Sequence, residues 1–485
     1  MEREMSVSAY LKSLVLPILS LFDEKDSKLY WNSECKSLQP MLWIPHKKIS
    51  KESEINYTLD ESTHWKKVLK PTEPIEQELS ISLPKSSIPT PKKGQQRDAI
   101  LAIASKKIRF YPNEEDKYHQ ALTLYRRAYN LAIEQYKNGT YRVEGSGKWR
   151  DLRLEIKKVC KEEQENKDAI YNSLIVDNAV QLAKKTFKMI IKRNKKLKKN
   201  GGGDYSTLNF KSRKRAIQSF AMDRMPKGLN PANKALGTVT LTENIPKEAI
   251  GKQCILTYNK GRWFIQVQQH IQTSTETQGS IDCVAVDAGV RTFATCYSTK
   301  EVIIAGDNFS KEILFPLMKK VDKLLSYRKK LENTNQTDKQ WYQDRLKFLN
   351  RKINRIKCKK DDLLLDLHNR LAYELVSKYD VIFLPTFETK KMSNKQKRNI
   401  RRVTTREMLN LNHYQFKERI RWYADKYGKH VVDCNESYTS KTLSWSGEID
   451  NKLGGKKIIS DGNISVNRDI NGARGIFLKQ ISKVA

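Results

Sequence analysis

Three carboxylates stand where chemistry could be done: Asp287, Glu436 and Asp469. Asp287 ends the nearly unbroken apolar run Ile281-Asp-Cys-Val-Ala-Val-Asp287, where a carboxylate is costly unless it binds a cation or a hydrogen-bond donor. Glu436 closes the strand pattern His430-Val-Val-Asp-Cys-Asn-Glu436 and leads into Tyr438-Thr-Ser-Lys441. Asp469 opens the last helical pattern, Arg468-Asp-Ile-Asn-Gly-Ala-Arg474, a stretch that also reads as a plain N-cap. Acids from two strands and a terminal helix of one sheet could hold two divalent ions roughly 3.5–4 Å apart, which clamp a scissile phosphate and activate water. Oxygen ligands with no His or Cys cluster beside them favour Mg2+ or Mn2+ over zinc.

For these acids to meet, strands and helices must alternate. The run ending at Asp287 and the segment Thr292–Tyr297 read as two adjacent strands. Buried-strand patterns return at Tyr379–Leu384 and at His430–Glu436, with the helix Glu407–Tyr427 between them and a short helix over Asp469–Ile481. Residues 315–378 are helical and dense in Lys and Arg, a pattern that fits a solvated face as well as a polyanion-binding one. Upstream, Ser105–Tyr111 alternates like a strand. Tyr118, Ala121, Leu122, Tyr125, Ala128, Tyr129, Ala132 and Tyr136 follow one helical face, so Tyr125, Tyr129 and Tyr136 are expected in a core. A second helix through Ile175, Ala179, Leu182 and Ile190 runs into Lys-Arg-rich sequence and stops at Gly201-Gly-Gly203. From Phe210 to Ile271 strand patterns dominate, with a hairpin turn at Asn259-Lys-Gly261. The whole is expected to be α/β.

The 485 residues carry 91 Lys and Arg against 55 Asp and Glu, a net charge of +36. Residues 1–94 hold 14 basic and 13 acidic side chains, so almost the entire surplus belongs to residues 95–485. Such a bias calls for a polyanion, nucleic acid first. No run approaches the roughly 18–20 apolar residues of a membrane span, and Ser13–Phe22 lacks the basic start and small-residue end of a secretory signal. Seven scattered cysteines without a CxxC pair fit a reducing, intracellular setting.

Specific motifs add a resemblance. VAVDAGVRTFAT (Val284–Thr295) resembles the first RuvC motif of TnpB proteins, and ESYTSKT (Glu436–Thr442) with NRDINGARGIF (Asn467–Phe477) resembles their C-terminal signature. FLPTFETKKM (Phe383–Met392) and REMLNLNHYQFKERI (Arg406–Ile420) are closer to Fanzors, eukaryotic and viral relatives of TnpB. The resemblance covers about residues 100–485. It implies an RNA-guided, Mg2+- or Mn2+-dependent DNA endonuclease with an RNase H-like RuvC nuclease domain, a β-barrel wedge domain and a helical recognition lobe. The expected layout is an N-terminal extension and linker over 1–94, the wedge over 95–116 and 206–274, the lobe over 117–205, and the nuclease over 275–485 with a helical insertion at 310–378. Its partners would be a guide RNA and target double-stranded DNA, held by one protein chain in a ribonucleoprotein, in the nucleus of a eukaryotic host. An RNase H-like transposase and a cleavage-dead nucleic-acid-binding regulator are the competing readings.

Carried over residue by residue, Asp287 matches the first catalytic Asp and Asp469 the last. The usual second acid is replaced by Pro385, which cannot ligate a metal. Fanzors resemble this chain in that respect and use a glutamate of the next strand, matching Glu436; Glu388, three residues past Pro385, competes. The family's two CxxC pairs are replaced by Leu443, Ser446, Ser460 and Asn463, so no zinc is expected and the insertion at 440–466 should be a shortened hairpin held by packing. Backbone contacts to nucleic acid are expected from Lys192, Arg193, Lys195 and Lys196, from Lys211, Arg213, Lys214 and Arg215, and from Lys397, Arg398, Arg401 and Arg402. Each run alone also reads as a solubilising stretch or nuclear import signal.

Overall fold

The computed structural model describes residues 28–30, 41–43, 57–71, 101–139, 146–199, 201, 205–225, 235–272, 282–333, 339–386, 389–394, 400–434, 439, 441–449, 456–461 and 464–482. They form two compact units: Met1–Ile100 together with Gln272–Ala485, and Leu101–Ile271. Strands β1 (Lys28–Tyr30) and β2 (Met41–Trp43) make a small antiparallel pair, and β3 (Tyr57–Ser62) with β4 (Lys66–Pro71) makes a second.

The Leu101–Ile271 unit begins with β5 (Leu101–Pro112) and three helices, α1 (Glu115–Lys137), α2 (Ser146–Glu165) and α3 (Ser173–Lys199). It continues through β6 (Ile217–Met222), β7 (Val239–Leu241), β8 (Cys254–Asn259) and β9 (Arg262–Gln272). The sheet runs β6-β8-β9-β5-β7, and among the described residues no pairing joins its two ends into a ring. The β8–β9 turn is the two-residue kind expected, with Lys260 at φ 52° and Gly261 at φ 82°. Helices and sheet, expected as separate wedge and lobe segments, share one core. Phe110 of β5, Tyr118 of α1 and Trp263 of β9 pack with ring centroids 5.4–6.0 Å apart, and Tyr125, Tyr129 and Tyr136 are buried beside them.

The other unit is built on a seven-stranded sheet. Its C-terminal part contributes β10 (Cys283–Ala288), β11 (Thr292–Tyr297), β12 (Val302–Asp307), helices α4 (Phe315–Glu332) and α5 (Gln340–Lys378), and β13 (Val381–Pro385). After the short α6 (Thr389–Met392) come α7 (Arg402–Leu411), α8 (His413–Tyr427), β14 (His430–Cys434), the hairpin β15 (Ile458–Asp461) and β16 (Ile464–Asn467), and α9 (Arg468–Ser482). The strand order is β14-β13-β10-β11-β12-β4-β3. β10, β11 and β12 pair antiparallel, while β13 and β14 join parallel to β10, giving the mixed sheet of an RNase H-like domain.

Two strands of this sheet come from residues 1–94, the segment expected to be an N-terminal extension and linker. β4 pairs antiparallel with β12, from Val302 opposite Leu69 to Ala305 opposite Lys66, and Trp65 O accepts from Gly306 N at 2.8 Å. The β3–β4 hairpin thereby covers an edge that would otherwise display unpaired backbone groups. Val68 is buried in the same core as Val286, Ala305 and Leu371. Lys66 is only 10% exposed and pairs with the equally buried Glu374 of α5 at 2.7 Å. Glu374 also meets Lys378 at 3.1 Å, and Lys378 reaches Glu301 at 2.8 Å.

The sheet has two packed faces. On one, α5 and α8 bury Leu367, Leu371, Leu375, Phe416 and Ile420 against Val284, Val286, Cys296 and Ile303. On the other, α9 buries Ile470, Ala473, Ile476 and Phe477 against Cys283, Ala285, Tyr297, Val302 and Phe383. No helix among the described residues is long and apolar enough to cross a membrane.

Candidate active site

Residues alternate across a strand, so Asp287 shares the face of Cys283 and Ala285, the face covered by α9. Asp469 stands next to Ile470 in the first turn of that helix. Asn467 caps the turn by accepting from Asp469 N at 2.9 Å, and the Thr292 hydroxyl, at the start of β11, donates to Asp469 Oδ2 at 3.1 Å. The two aspartates therefore lie on one face, one near the end of β10 and the other tied to the start of the antiparallel strand that follows. Thr295, opposite Asp287 in the ladder, keeps its hydroxyl buried without a partner on that face.

The link between the strands is tight. Gly289 N donates to Phe293 O at 3.2 Å, and a Cβ on Gly289 would come within 2.6 Å of Thr292 O, so only glycine fits there. Behind the link, Phe293 stacks between His368 of α5 and His413 of α8, with centroids 4.9 and 5.0 Å away. Burial pushes the imidazoles down to about 3 for His368 and about 4 for His413, so both are neutral at pH 7. His368 is held by Leu411 O at 3.1 Å.

Continuing the parallel register of β10 with β13 puts Asp287 level with Pro385, which in turn pairs with Cys434. Glu436 lies two residues beyond Cys434 and Glu388 three beyond Pro385; both fall outside the described residues. Among the described residues no cluster of three or more His, Cys, Asp and Glu side chains could hold a metal ion. Other acids of this unit are held by cations: Asp282 by Lys300 and Asp380 by Lys429, each at 2.7 Å, and Asp433 by Lys417 and Arg421. Those pairs are structural.

Comparison with known proteins finds similarity over much of the chain. Residues 413–476 match the family model described as Cas12f1-like, TNB domain. A TnpB-like protein of Acanthamoeba polyphaga mimivirus is 26% identical over 416 residues, 78% of this chain and 73% of that protein, and a second from the same virus is 26% identical over 404 residues. The chain is thus similar to viral TnpB-like proteins over about three quarters of its length. A shorter match, 29% over 218 residues, covers 44% of this chain and 47% of a protein of Paramecium bursaria Chlorella virus 1 that is named a transposase. The solved Cas12f1–sgRNA–target DNA complex superposes with a TM-score of 0.41 at 14% identity, over 75% of this chain and 82% of that one.

Among the described residues of the insertion before α9, apolar packing and an amide of that helix hold the chain. Leu443, at a usual zinc-ligand position, is buried with Trp445 and Ile459. Ser446 is buried, Ser460 is exposed and meets Ser465 at 3.1 Å, and Asn463 lies outside the described residues. The fully buried Asn471 of α9 accepts from Ser444 N and donates to Thr442 O, both at 2.8 Å. Of the basic residues, Lys192, Arg193, Lys195 and Lys196 are exposed at the end of α3, Arg213, Lys214 and Arg215 are exposed before β6, and Arg401 and Arg402 are exposed at the start of α7. Lys397 and Arg398 lie outside the described residues. Lys211 behaves differently. It sits over the Tyr125 and Tyr129 rings at 4.6 and 4.7 Å, and burial, then Arg215, pushes its ammonium down to about 8. That is a packing role a run of basic letters does not reveal. Sequence reading also missed Thr292, whose partner is 177 positions away.

Proposed function

We propose that this TnpB-like protein is a guide-RNA-directed, divalent-metal-dependent DNA endonuclease. The observation that carries the reading is the placement of Asp287 and Asp469 on one face of the sheet, with Thr292 holding the second. Their carboxylates are hard oxygen donors of the kind Mg2+ and Mn2+ take. Asp287 and Asp469 would hold the metal, with Glu436 as the third ligand and Glu388 as its competitor. Bound there, divalent ions would activate water and neutralise charge on the scissile phosphate. Asn467 and Thr292 fix the backbone and the carboxylate of Asp469 respectively, and the α9 core keeps that helix from shifting along the sheet. The large basic surplus and the exposed cations of α3, the segment before β6, and α7 suit a protein that grips phosphate backbones while guide–target pairing supplies sequence.

Purifying the protein from cells that hold its native locus and sequencing the RNA that accompanies it tests the reading. One discrete RNA, and metal-dependent cutting of DNA matched to it, is the expected result; no discrete RNA would count against it. Because two relatives are named transposases, the products should also be sequenced across their ends. Strand joining in place of free cut ends would favour the transposase reading.

A further inference from the structure

Sequence patterning leaves the charge-dense helices after β12 undecided between a solvated face and a binding face. The structure separates the two. Residues 315–333 and 339–360, which are α4 and the N-terminal half of α5 with their flanks, carry 15 Lys and Arg against three acids. All three acids are already paired: Asp322 with Arg406 at 2.6 Å, Glu332 with Arg328 at 3.2 Å and Asp344 with Lys347 at 3.7 Å. A solvated helix mixes both signs; this one keeps a large cationic surplus.

The same surface holds large aromatic side chains. Tyr327 of α4 and Trp341 and Phe348 of α5 are 47%, 50% and 51% exposed. Trp341, Arg345, Phe348 and Lys352 follow four-, three- and four-residue steps and so share one stripe of α5. The Arg345 guanidinium lies 5.5 Å from the Tyr327 ring and 5.4 Å from Phe348, and Lys352 lies 5.8 Å over Phe348. These rings are not the seam of the helix pair. Val321, Tyr342, Leu349 and Ile353 are buried instead, with Arg328 bonded across to Asn350 at 3.1 Å.

We propose that this helical hairpin is a stacking platform for an unpaired nucleic-acid strand. The proposal rests on the nuclease reading above and names a contact for it. A duplex shows a protein its phosphates and groove edges but hides its base faces, so three half-exposed rings would gain nothing from it. An unpaired strand offers phosphates to the cations and base faces to the rings. Trp341 and Phe348 are about 10 Å apart along the helix axis, which gives consecutive bases separate rings.

The test uses the ribonucleoprotein as purified, a labelled oligo(dT), and a duplex of equal length. Oligo(dT) carrying 5-iodouracil should photocrosslink to Trp341 or Phe348. Each of Tyr327→Ala, Trp341→Ala and Phe348→Ala should weaken oligo(dT) binding about tenfold, leaving the salt dependence and melting temperature unchanged. Arg351→Gln and Lys352→Gln should each lower the log–log salt slope by about 0.7. Crosslinks confined to other segments, equal competition by the duplex, or alanine variants that bind like wild type would overturn the proposal. So would variants that alter self-association in sedimentation and not oligo(dT) binding, since that assigns the face to a protein contact. If wild type cuts no DNA yet binds oligo(dT) here, the nuclease reading fails and the platform stands; intact guided cutting with no crosslink here sinks the platform alone.

Discussion

Replacing Thr292 by valine removes one hydroxyl and keeps a β-branched side chain of almost the same shape. The hydroxyl is buried and donates to Asp469 Oδ2 at 3.1 Å. A hydrogen bond to a charged acceptor contributes about 1.5–3 kcal/mol, and about 1.4 kcal/mol is a tenfold change in rate. If the bond holds Asp469 in the orientation cleavage requires, Thr292→Val should slow the step about 10- to 150-fold. The assay is single-turnover cutting of matched DNA by the purified ribonucleoprotein across a Mg2+ titration, beside target binding and a thermal melt. Expected are slower cutting with a higher Mg2+ midpoint, unchanged target binding, and a melting temperature close to wild type. Thr292→Ser keeps the donor and should recover most of the rate. Cutting by the valine variant within about threefold of wild type, or a serine variant as slow as valine, would refute the reasoning, because neither outcome follows the hydroxyl.

Lys66→Met should loosen the β4–β12 pairing. Glu374 loses a buried partner but keeps Lys378 at 3.1 Å, so the cost should be about 2–3 kcal/mol, less than the roughly 3–5 kcal/mol of a fully orphaned charge; faster hydrogen exchange in β4 and β12 would show it, and unchanged exchange would contradict it. The depressed His368 and His413 make stability fall with acid. The unfolded chain protonates them from about 6.5 downward and the folded chain only near 3 and 4. Their contribution is whole above pH 6.5 and lost as pH drops, about 2 kcal/mol each by pH 5. Melting from pH 7 to 5 should trace that loss, and His368→Phe should flatten the curve. Asn471→Leu should strand Ser444 N, at about 1–3 kcal/mol, remove the donor to Thr442 O, and speed exchange in residues 441–449 while sparing β12.

What the sequence made legible was local. The apolar run through Val286, the Asn259-Lys-Gly261 turn and the helix opened by Asp469 are short-range patterns, and each has its expected place. The tyrosine stripe of α1 marked a core for the same reason. What escaped was carried by contacts between distant positions. Lys66-Lys67-Val68-Leu69-Lys70 reads as a polar stretch, because Glu374, which accommodates the buried Lys66, lies 308 residues away. Nothing local marks it as a strand of this sheet. Thr292 looks like an ordinary strand threonine until α9 brings Asp469 to it. Lys211 looks like one of a basic cluster until two tyrosines of α1 lie beneath it. The charge of α4 and α5 was plain in the sequence, but its meaning needed exposure: which rings are buried in the seam and which face outward.

The central claim is that Asp287 and Asp469 serve one metal-dependent cutting site. It is tested most directly by comparing wild type with Asp287→Ala and Asp469→Ala, each purified with its RNA and assayed for cutting of matched DNA in Mg2+. The account predicts that both variants keep RNA and target binding and lose cutting. Full cutting by either would contradict it.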